Sequence, residues 1–235
     1  MDKIVNRYRL SAESRMATKQ ITVVSFDMDG TLVDDAFINS VWYEGIPKLY
    51  AEKTGLAIDE ALEEVKQGYD EIGDKRFEWY DVKYWLRRFR LDEDWRSLLN
   101  QFRNRIRLYP DAEAALRQLQ GNYDLIVISN ATREFLDMVL EETALQSHFH
   151  RIFSSTSDFG EVKKTPQCYQ RICNILNVKP RSLVHVGDNH EFDYLVPRKL
   201  GINAYFLNRK EKADGDHVIH KLTDLQAILT PPRKK

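Results

Sequence analysis

The sequence predicts an α/β fold, in which a Rossmann-like parallel sheet has helices on both faces and carries an inserted helical cap. Short runs of β-branched and apolar residues alternate with helical patterns along the chain, as a wound parallel sheet requires. The 235 residues suit one large domain or a core with a smaller insert. A long interval without β-type runs separates the first two predicted strands, which indicates the insert.

The predicted strands are short and regularly followed by polar residues. They are residues 21–26, 125–129, 152–154, 183–186 and 204–207. Helix formers and aromatic residues fill the interval 35–107, which is too long for a single crossover helix. We therefore expect a helical cap at 35–107 and an α/β core at 20–34 and 108–230, with an N-terminal extension at 1–19 and a basic tail at 231–235.

Composition narrows the class of protein. Apolar residues make up 43% of the chain and charged residues 30%, and the formal net charge is −1, so nothing suggests a general nucleic-acid binder. The apolar runs fall far short of the ~20 residues that cross a bilayer, and the start of the chain lacks the apolar core of a secretory signal. We expect a cytoplasmic protein that has neither a membrane nor a nucleic acid as partner.

Two cysteines and one histidine are expected to be buried and to have packing roles. Cys168 and Cys173 are five residues apart in a helical pattern, where neither a disulfide framework nor a CxxC metal pair is plausible, so they are expected to be reduced core thiols. His185 lies within a strand pattern and is expected to be a packed, hydrogen-bonded core residue.

Paired carboxylates after the first strand indicate a cation site. Asp27 and Asp29 are separated by one residue where the buried strand ends, and two such charges are costly there unless positive charge lies nearby. Mg²⁺ suits them because it prefers oxygen ligands and commonly joins one or two carboxylates to a substrate phosphate. Gly30, which follows, allows a close approach of the backbone.

The carboxyl ends of other predicted strands carry further polar groups. Asp188 follows the strand at 183–186, and because parallel strands direct their carboxyl ends at one crevice, it can complete the metal site. Ser129 and Asn130 end another strand and offer a hydroxyl and backbone N–H groups for phosphate oxygens. Lys163 precedes a helix that Thr165 and Pro166 are expected to begin, where it could balance negative charge, and Lys164 is its adjacent rival.

These four segments, in this order, resemble the haloacid dehalogenase (HAD) superfamily of phosphotransferases over about residues 21–208. The DxDGT nucleophile motif corresponds to residues 27–31, and the serine or threonine motif corresponds to Ser129. The GxxKPxP-like lysine context favours Lys163, since Gly160 lies three residues before it and Pro166 three after, although Lys164 replaces the usual proline.

The acidic GDSxxND motif of the superfamily is also present, with two departures. Gly187, Asp188 and Asp193 match the motif, whereas Asn189 replaces the serine and Phe192 replaces the asparagine. Both acids therefore stay in register.

The resemblance implies a role for each matched residue. Asp27 would attack phosphorus, and Asp29 would protonate the leaving alcohol and later deprotonate water. Mg²⁺ would be held by the Asp27 carboxylate, the Asp29 backbone carbonyl and Asp188. The remaining assignments are phosphate binding by Ser129, Asn130 and Lys163, orientation of Lys163 by Asp193, and a supporting role for Thr31.

The implied function is hydrolysis of a small phosphorylated metabolite by a phosphoglycolate phosphatase-like enzyme with a C1-type helical cap. We expect a monomer or homodimer, a choice that the resemblance does not decide. A sugar phosphomutase of the same superfamily is the alternative, because it would use the same two aspartates. A non-catalytic metabolite-binding protein is a third reading. Asp29 argues against a dehalogenase, because a departing halide needs no acid.

Overall fold

A six-stranded, fully parallel sheet forms the centre of the protein, with strand order β3-β2-β1-β4-β5-β6. The computed structural model describes residues 21–210 and 215–229; the predicted N-terminal extension and basic tail lie outside them. The strands are β1 (Val23–Phe26), β2 (Asp124–Ser129), β3 (Arg151–Ser154), β4 (Leu183–Gly187), β5 (Asn203–Leu207) and β6 (Val218–Ile219). The five predicted strands are confirmed, and β6 was missed because two residues are too few to show a periodic pattern.

The strand order puts one crevice at the end of β1. This strand pairs with β2 on one side and with β4 on the other, so that Phe26 lies opposite both Val127 and Val186. From β1 the chain proceeds outward through β2 and β3, and it then returns to build β4, β5 and β6 on the other side. Ligand sites of open α/β sheets lie where the order reverses in this way, beyond the carboxyl ends of the strands.

Both faces of the sheet are covered. Successive side chains of a strand point to opposite faces. Val24 and Phe26 accordingly pack in one core cluster, while Val23 packs in the other. Burial on both faces is typical of a parallel sheet between helical layers, and the predicted fold class is confirmed.

Helices fill the interval between β1 and β2, as expected. They are α1 (Ala36–Ser40), a π-helical segment (Val41–Gly45), α2 (Ile46–Thr54), α3 (Ile58–Ile72), a 3₁₀ segment (Phe77–Tyr80), α4 (Val82–Arg88), α5 (Trp95–Gln101) and a 3₁₀ turn (Arg103–Arg105). Their aromatic side chains pack with one another; the rings of Tyr69 and Trp85, for example, lie 4.6 Å apart. The two linkers to the core meet, since Asp34 donates its N–H to the carbonyl oxygen of Arg107. That these helices form a separate cap with boundaries 35–107 stays a prediction.

The remaining helices cover the sheet. They are α6 (Ala112–Leu119), α7 (Arg133–Thr143), α8 (Ser155–Phe159), α9 (Pro166–Leu176), α10 (Val196–Lys199) and α11 (Asp224–Leu229), with short 3₁₀ or π-helical segments at Leu145–His148, Pro180–Ser182 and His190–Leu195. Helix α9 begins as predicted, because the Thr165 hydroxyl accepts the N–H of Cys168. Cys168 and Cys173 are free and buried, as expected. Within the described ranges, every helix is too short or too polar to cross a bilayer.

Candidate active site

Asp27 is the first residue beyond β1 and lies in the crevice. Its N–H donates to the carbonyl oxygen of Val186, which holds it against β4. Its buried side chain accepts a 2.7 Å hydrogen bond from the Lys164 ammonium group. The backbone of Asp27 is therefore fixed by β4, and its carboxylate is oriented by the buried Lys164 ammonium group.

Lys164, not Lys163, is the lysine of the site. Its side chain is only 1% exposed, and its Nζ lies 2.7 Å from Asp27, 2.5 Å from Asp193 and 3.3 Å from the Ile128 carbonyl oxygen. The three donors of an ammonium group thus have three acceptors. The expectation that Asp193 orients Lys163 as a phosphate-binding residue is corrected, because Asp193 pairs with the rival Lys164 and Lys163 pairs with Asp74.

Lys163 instead faces the helical insert. Its Nζ lies 3.1 Å from Asp74 and about 5 Å from the ring centres of Tyr80 and Phe192. Neighbouring side chains in the non-helical segment before α9 point in different directions, so only one of the two lysines reaches the crevice.

Asp193 is a fully buried carboxylate with three partners. One oxygen contacts Lys164 and, at 3.1 Å, the Nε2 of His185, and the other accepts the N–H of Asn189. Burial alone would raise the pKa of Asp193, but the Lys164 charge and the His185 hydrogen bond hold it well below its ordinary value. Gly187 makes room for this group, since a Cβ there would lie 2.3 Å from the Asp193 Oδ2.

Three carboxylates converge on the crevice. Asp27, Asp188 and Asp193 each offer an oxygen atom, and these atoms lie within 4.8 Å of one another. The Asp188 carboxyl packs on Gly30, where an added Cβ would lie 2.2 Å from its Oδ2. Gly30 also has φ +74°, a conformation that favours glycine.

The charges of this group fit a divalent cation. Burial raises the pKa of Asp27 well above its ordinary value; Lys164 opposes this shift, and Asp193 and Asp188 add to it. Loss of hydration and the negative charge of Asp193 raise the pKa of Asp188 to about 6. One lysine does not neutralise these carboxylates, and a hard cation with oxygen ligands would. Asp193 is already bonded to Lys164 and His185, so Asp27 and Asp188 are the side chains of this group that could hold such a cation.

The pKa of Asp29, to which the resemblance gives the acid–base role, is raised toward neutrality. Its carboxyl is outside the group of three, and burial raises its pKa to about 7, with the charge of Asp35 adding to the shift and Lys164 opposing it. Both protonation states are therefore accessible near neutral pH. Asp35 was not identified from the sequence, because no pattern distinguishes it from other acidic loop residues.

The other predicted residues lie at the end of β2 and in the loops that follow β1 and β2. Ser129 is buried, and its hydroxyl oxygen accepts the N–H of Ala131, which leaves the hydroxyl proton for another acceptor. The side-chain oxygen of Asn130 accepts a hydrogen bond from Ser155, so this side chain braces the loop. Thr31 is buried, and its hydroxyl has no hydrogen-bond partner within residues 21–210 and 215–229.

Arg209 braces the loop after Asp29 and was not found from the sequence. It donates to the Thr31 carbonyl oxygen at 2.8 Å, stacks 3.9 Å from the ring centre of Tyr109 and pairs with Asp111 at 3.0 Å. It thus ties the loop that follows Asp27 to the second linker of the insert. Its position after β5, far along the chain from its partners, offers no local pattern.

Comparison with known proteins agrees with this geometry. The family model of the haloacid dehalogenase-like hydrolases matches residues 21–201. The chain therefore belongs to the haloacid dehalogenase-like hydrolases.

Curated relatives of the chain include two phosphatases. It is 27% identical over 175 residues to the GMP/IMP nucleotidase YrfG of Escherichia coli, a match that covers 74% of this chain and 77% of that protein. It is 22% identical over 211 residues to the phosphoglycolate phosphatase of Vibrio vulnificus, with 82% and 86% covered.

Solved structures support the fold. A HAD phosphatase from Thermococcus onnurineus superposes with a TM-score of 0.78 at 24% identity, covering 89% of this chain and 98% of that one. The L-2-haloacid dehalogenase PA0810 gives a TM-score of 0.61 at 22% identity, with 89% and 100% covered. At these identities the likeness concerns the architecture and does not separate ester from halide chemistry.

Proposed function

We propose that the protein is a Mg²⁺-dependent phosphatase that hydrolyses a small phosphorylated metabolite through an aspartyl-phosphate intermediate on Asp27. The observation that carries this proposal is the arrangement of Asp27. Its carboxylate lies beyond the central strand, 2.7 Å from a buried lysine and two residues before an acid whose pKa is raised to about 7. The proposed nucleophile Asp27 and proton donor Asp29 thus share the loop after β1, and the cation Lys164 reaches this loop from the segment before α9.

In the first half-reaction, a carboxylate oxygen of Asp27 attacks phosphorus. A new bond forms between this oxygen and phosphorus while the ester bond from phosphorus to the leaving oxygen breaks, and Asp29 gives its proton to that oxygen. The Ser129 hydroxyl offers a donor to the phosphoryl oxygens, where negative charge is concentrated in the transition state, and Lys164 turns to them the N–H that it gives to Asp27 before the reaction.

In the second half-reaction, water attacks the phosphorus of the aspartyl-phosphate. Asp29, now a carboxylate, takes a proton from this water, and the bond between phosphorus and the Asp27 oxygen breaks. Phosphate leaves, the Asp27 carboxylate is restored and Asp29 is protonated again. The raised pKa of Asp29 suits it to both steps.

The Asp27 and Asp188 carboxylates and the Asp29 backbone carbonyl are the groups that would hold Mg²⁺. When bound, the ion supplies positive charge that neutralises the phosphoryl oxygens. Within the protein itself, Lys164 keeps Asp27 oriented and Asp193 keeps Lys164 oriented.

The relatives support a small phosphate ester as substrate, because one is named for GMP and IMP and another for phosphoglycolate. We further propose that the helices between 35 and 107 act as a cap over the site. Such closure excludes bulk water and limits the size of the substrate. Asp29 favours an ester over a haloacid, since an alkoxide must be protonated as it leaves and a halide need not be.

The test is phosphate release from a panel of small esters, including GMP, IMP, phosphoglycolate and sugar phosphates, with Mg²⁺ and with EDTA. We expect release that requires Mg²⁺ and is abolished in Asp27→Asn, whose amide has nearly the same volume but is a poor nucleophile. Release that persists in the folded Asn variant would contradict the role of Asp27. Conversion of a sugar phosphate to its isomer without net phosphate release would instead support the mutase.

A further inference from the structure

A buried line of polar groups runs from the sheet interior to the nucleophile. Ser25 Oγ lies 2.8 Å from His185 Nδ1, and His185 Nε2 lies 3.1 Å from Asp193 Oδ1. Lys164 Nζ then lies 2.5 Å from Asp193 and 2.7 Å from Asp27. Ser25 and His185 are cross-strand partners in β1 and β4 and are fully buried, although neither contacts Asp27 itself.

We propose that His185, fixed by Ser25, is a positioning residue that holds Asp193 and, through it, the Lys164 ammonium group against Asp27. The proposal rests on the proposed phosphatase function for its catalytic consequence. Its structural content, the immobilisation of Lys164, does not depend on that function.

The hydrogen bonds select one tautomer of His185. A carboxylate only accepts, so the Nε2 that faces Asp193 must carry a proton. Burial keeps the ring neutral, since it lowers the pKa of His185 even though Asp193 opposes the shift. Nδ1 is then an acceptor, and the Ser25 hydroxyl, which donates to the Val184 carbonyl oxygen at 2.9 Å, has this second acceptor within reach at 2.8 Å.

The need for this support follows from the chemistry of lysine. An ammonium group on a flexible four-carbon stem is located only by its acceptors. Here two of the acceptors are the carboxylates of Asp27 and Asp193. Asp27 loses its negative charge while it is bonded to phosphorus, so Asp193 is the acceptor that stays anionic throughout the reaction. The orientation of Asp193 in turn depends on two donors besides Lys164, the Asn189 N–H and the His185 ring.

The decisive comparison is His185→Gln with His185→Leu. The amide of Gln can still donate to Asp193, whereas Leu has a similar volume and no donor. We expect Leu to lower kcat about tenfold or more with little change in KM, as is typical when the partner that orients an active-site group is removed, and Gln to restore most of it. Ile172→Ala empties part of the core cluster that contains Tyr169, whose ring lies 5.2 Å from that of His185, and leaves the polar line intact. It controls for stability and should retain kcat.

A second measurement reads the position of Lys164 without using activity. In ¹⁵N-lysine-labelled protein, a buried ammonium group with three acceptors should give a slowly exchanging ¹H–¹⁵N signal, assigned by its absence in Lys164→Met. We expect this signal in the wild type and in His185→Gln, and its loss through faster exchange in His185→Leu. Ser25→Ala, which removes the Nδ1 partner and little volume, should accelerate the exchange by a smaller factor and provides the test should the Leu variant not fold.

The two proposals fail differently. A wild type that releases no phosphate from any ester, yet shows the protected Lys164 signal and its loss in His185→Leu or acceleration in Ser25→Ala, would reject the phosphatase and retain the positioning role. Two results would overturn the positioning role even if the wild type is an active phosphatase. One is an equal kcat in His185→Gln and His185→Leu, and the other is a Lys164 ammonium signal that is unchanged in both His185→Leu and Ser25→Ala.

Discussion

Exchanging each of the two adjacent lysines for methionine separates a buried catalytic cation from a partly exposed one. Lys164 is 1% exposed and contacts two carboxylates, whereas Lys163 is 23% exposed and pairs with Asp74, which is 58% exposed. Methionine keeps most of the side-chain volume and removes the charge. The motif register of the sequence favours Lys163 as the lysine of the site, whereas the structure places Lys164 there. The two variants test which lysine it is.

The expected magnitudes differ widely. Removing one partner of a buried ion pair typically costs about 3–5 kcal/mol because a charge is left uncompensated, and Lys164→Met leaves both Asp27 and Asp193 in that state. Exposed pairs contribute about 0–1 kcal/mol, so Lys163→Met should change the free energy of unfolding by less than about 1 kcal/mol. For catalysis, loss of one preorganised donor lowers kcat by about 10²–10³-fold, which we expect for Lys164→Met only.

Urea unfolding at pH 7 followed by circular dichroism measures the first quantity, and phosphate release at a temperature where each variant is folded measures the second. Lys163→Met is the matched control, and it should keep kcat within about threefold of the wild type. A Lys163→Met protein that loses kcat as strongly as Lys164→Met, or a Lys164→Met protein of wild-type stability, would refute the reasoning.

Three further outcomes are expected. Because only protonated Asp29 can donate, the single-turnover rate of ester cleavage should fall as pH rises above about 7, and an Asp29→Asn protein that keeps this decline would contradict the assignment. Gly30→Ala should weaken Mg²⁺ binding measured by calorimetry, since its Cβ would lie 2.2 Å from Asp188, while Gly121→Ala, which has a positive φ but open space around it, controls for backbone strain. Burial raises the pKa of Cys168 to about 12 and that of Cys173 to about 11, so iodoacetamide at pH 8 should label neither in the native protein and both in urea; rapid native labelling would contradict their burial.

Local patterns were sufficient for most of the fold. The β-branched runs predicted five strands, because residues buried on both faces of a parallel sheet must be apolar in succession. The start of α9 was also readable, since Thr165 and Pro166 satisfy the requirements of a helix N-terminus by themselves. Strand β6 could not be predicted, because its two residues are too few to show a periodic pattern.

The site was readable to the extent that its residues follow strands directly. Asp27, Ser129 and Asp188 end or follow three neighbouring strands, so the parallel sheet brings them to one edge without further information. The sequence did not show that Arg209 ties the loop after Asp27 to the second linker of the insert. Its partners Thr31, Tyr109 and Asp111 are about a hundred residues or more away along the chain.

The sequence by itself therefore determined the α/β class, the helical nature of the segment between β1 and β2, and the carboxylates at the edge of the sheet, since each depends on interactions between residues close in the chain. Only the tertiary structure decided between Lys163 and Lys164 and joined His185 to Asp27 through Asp193 and Lys164. The direction of a side chain in an irregular segment depends on which neighbour offers a buried carboxylate. For Lys164 these carboxylates are Asp27, which follows β1, and Asp193, which follows β4; both are distant along the chain, and no local pattern contains them.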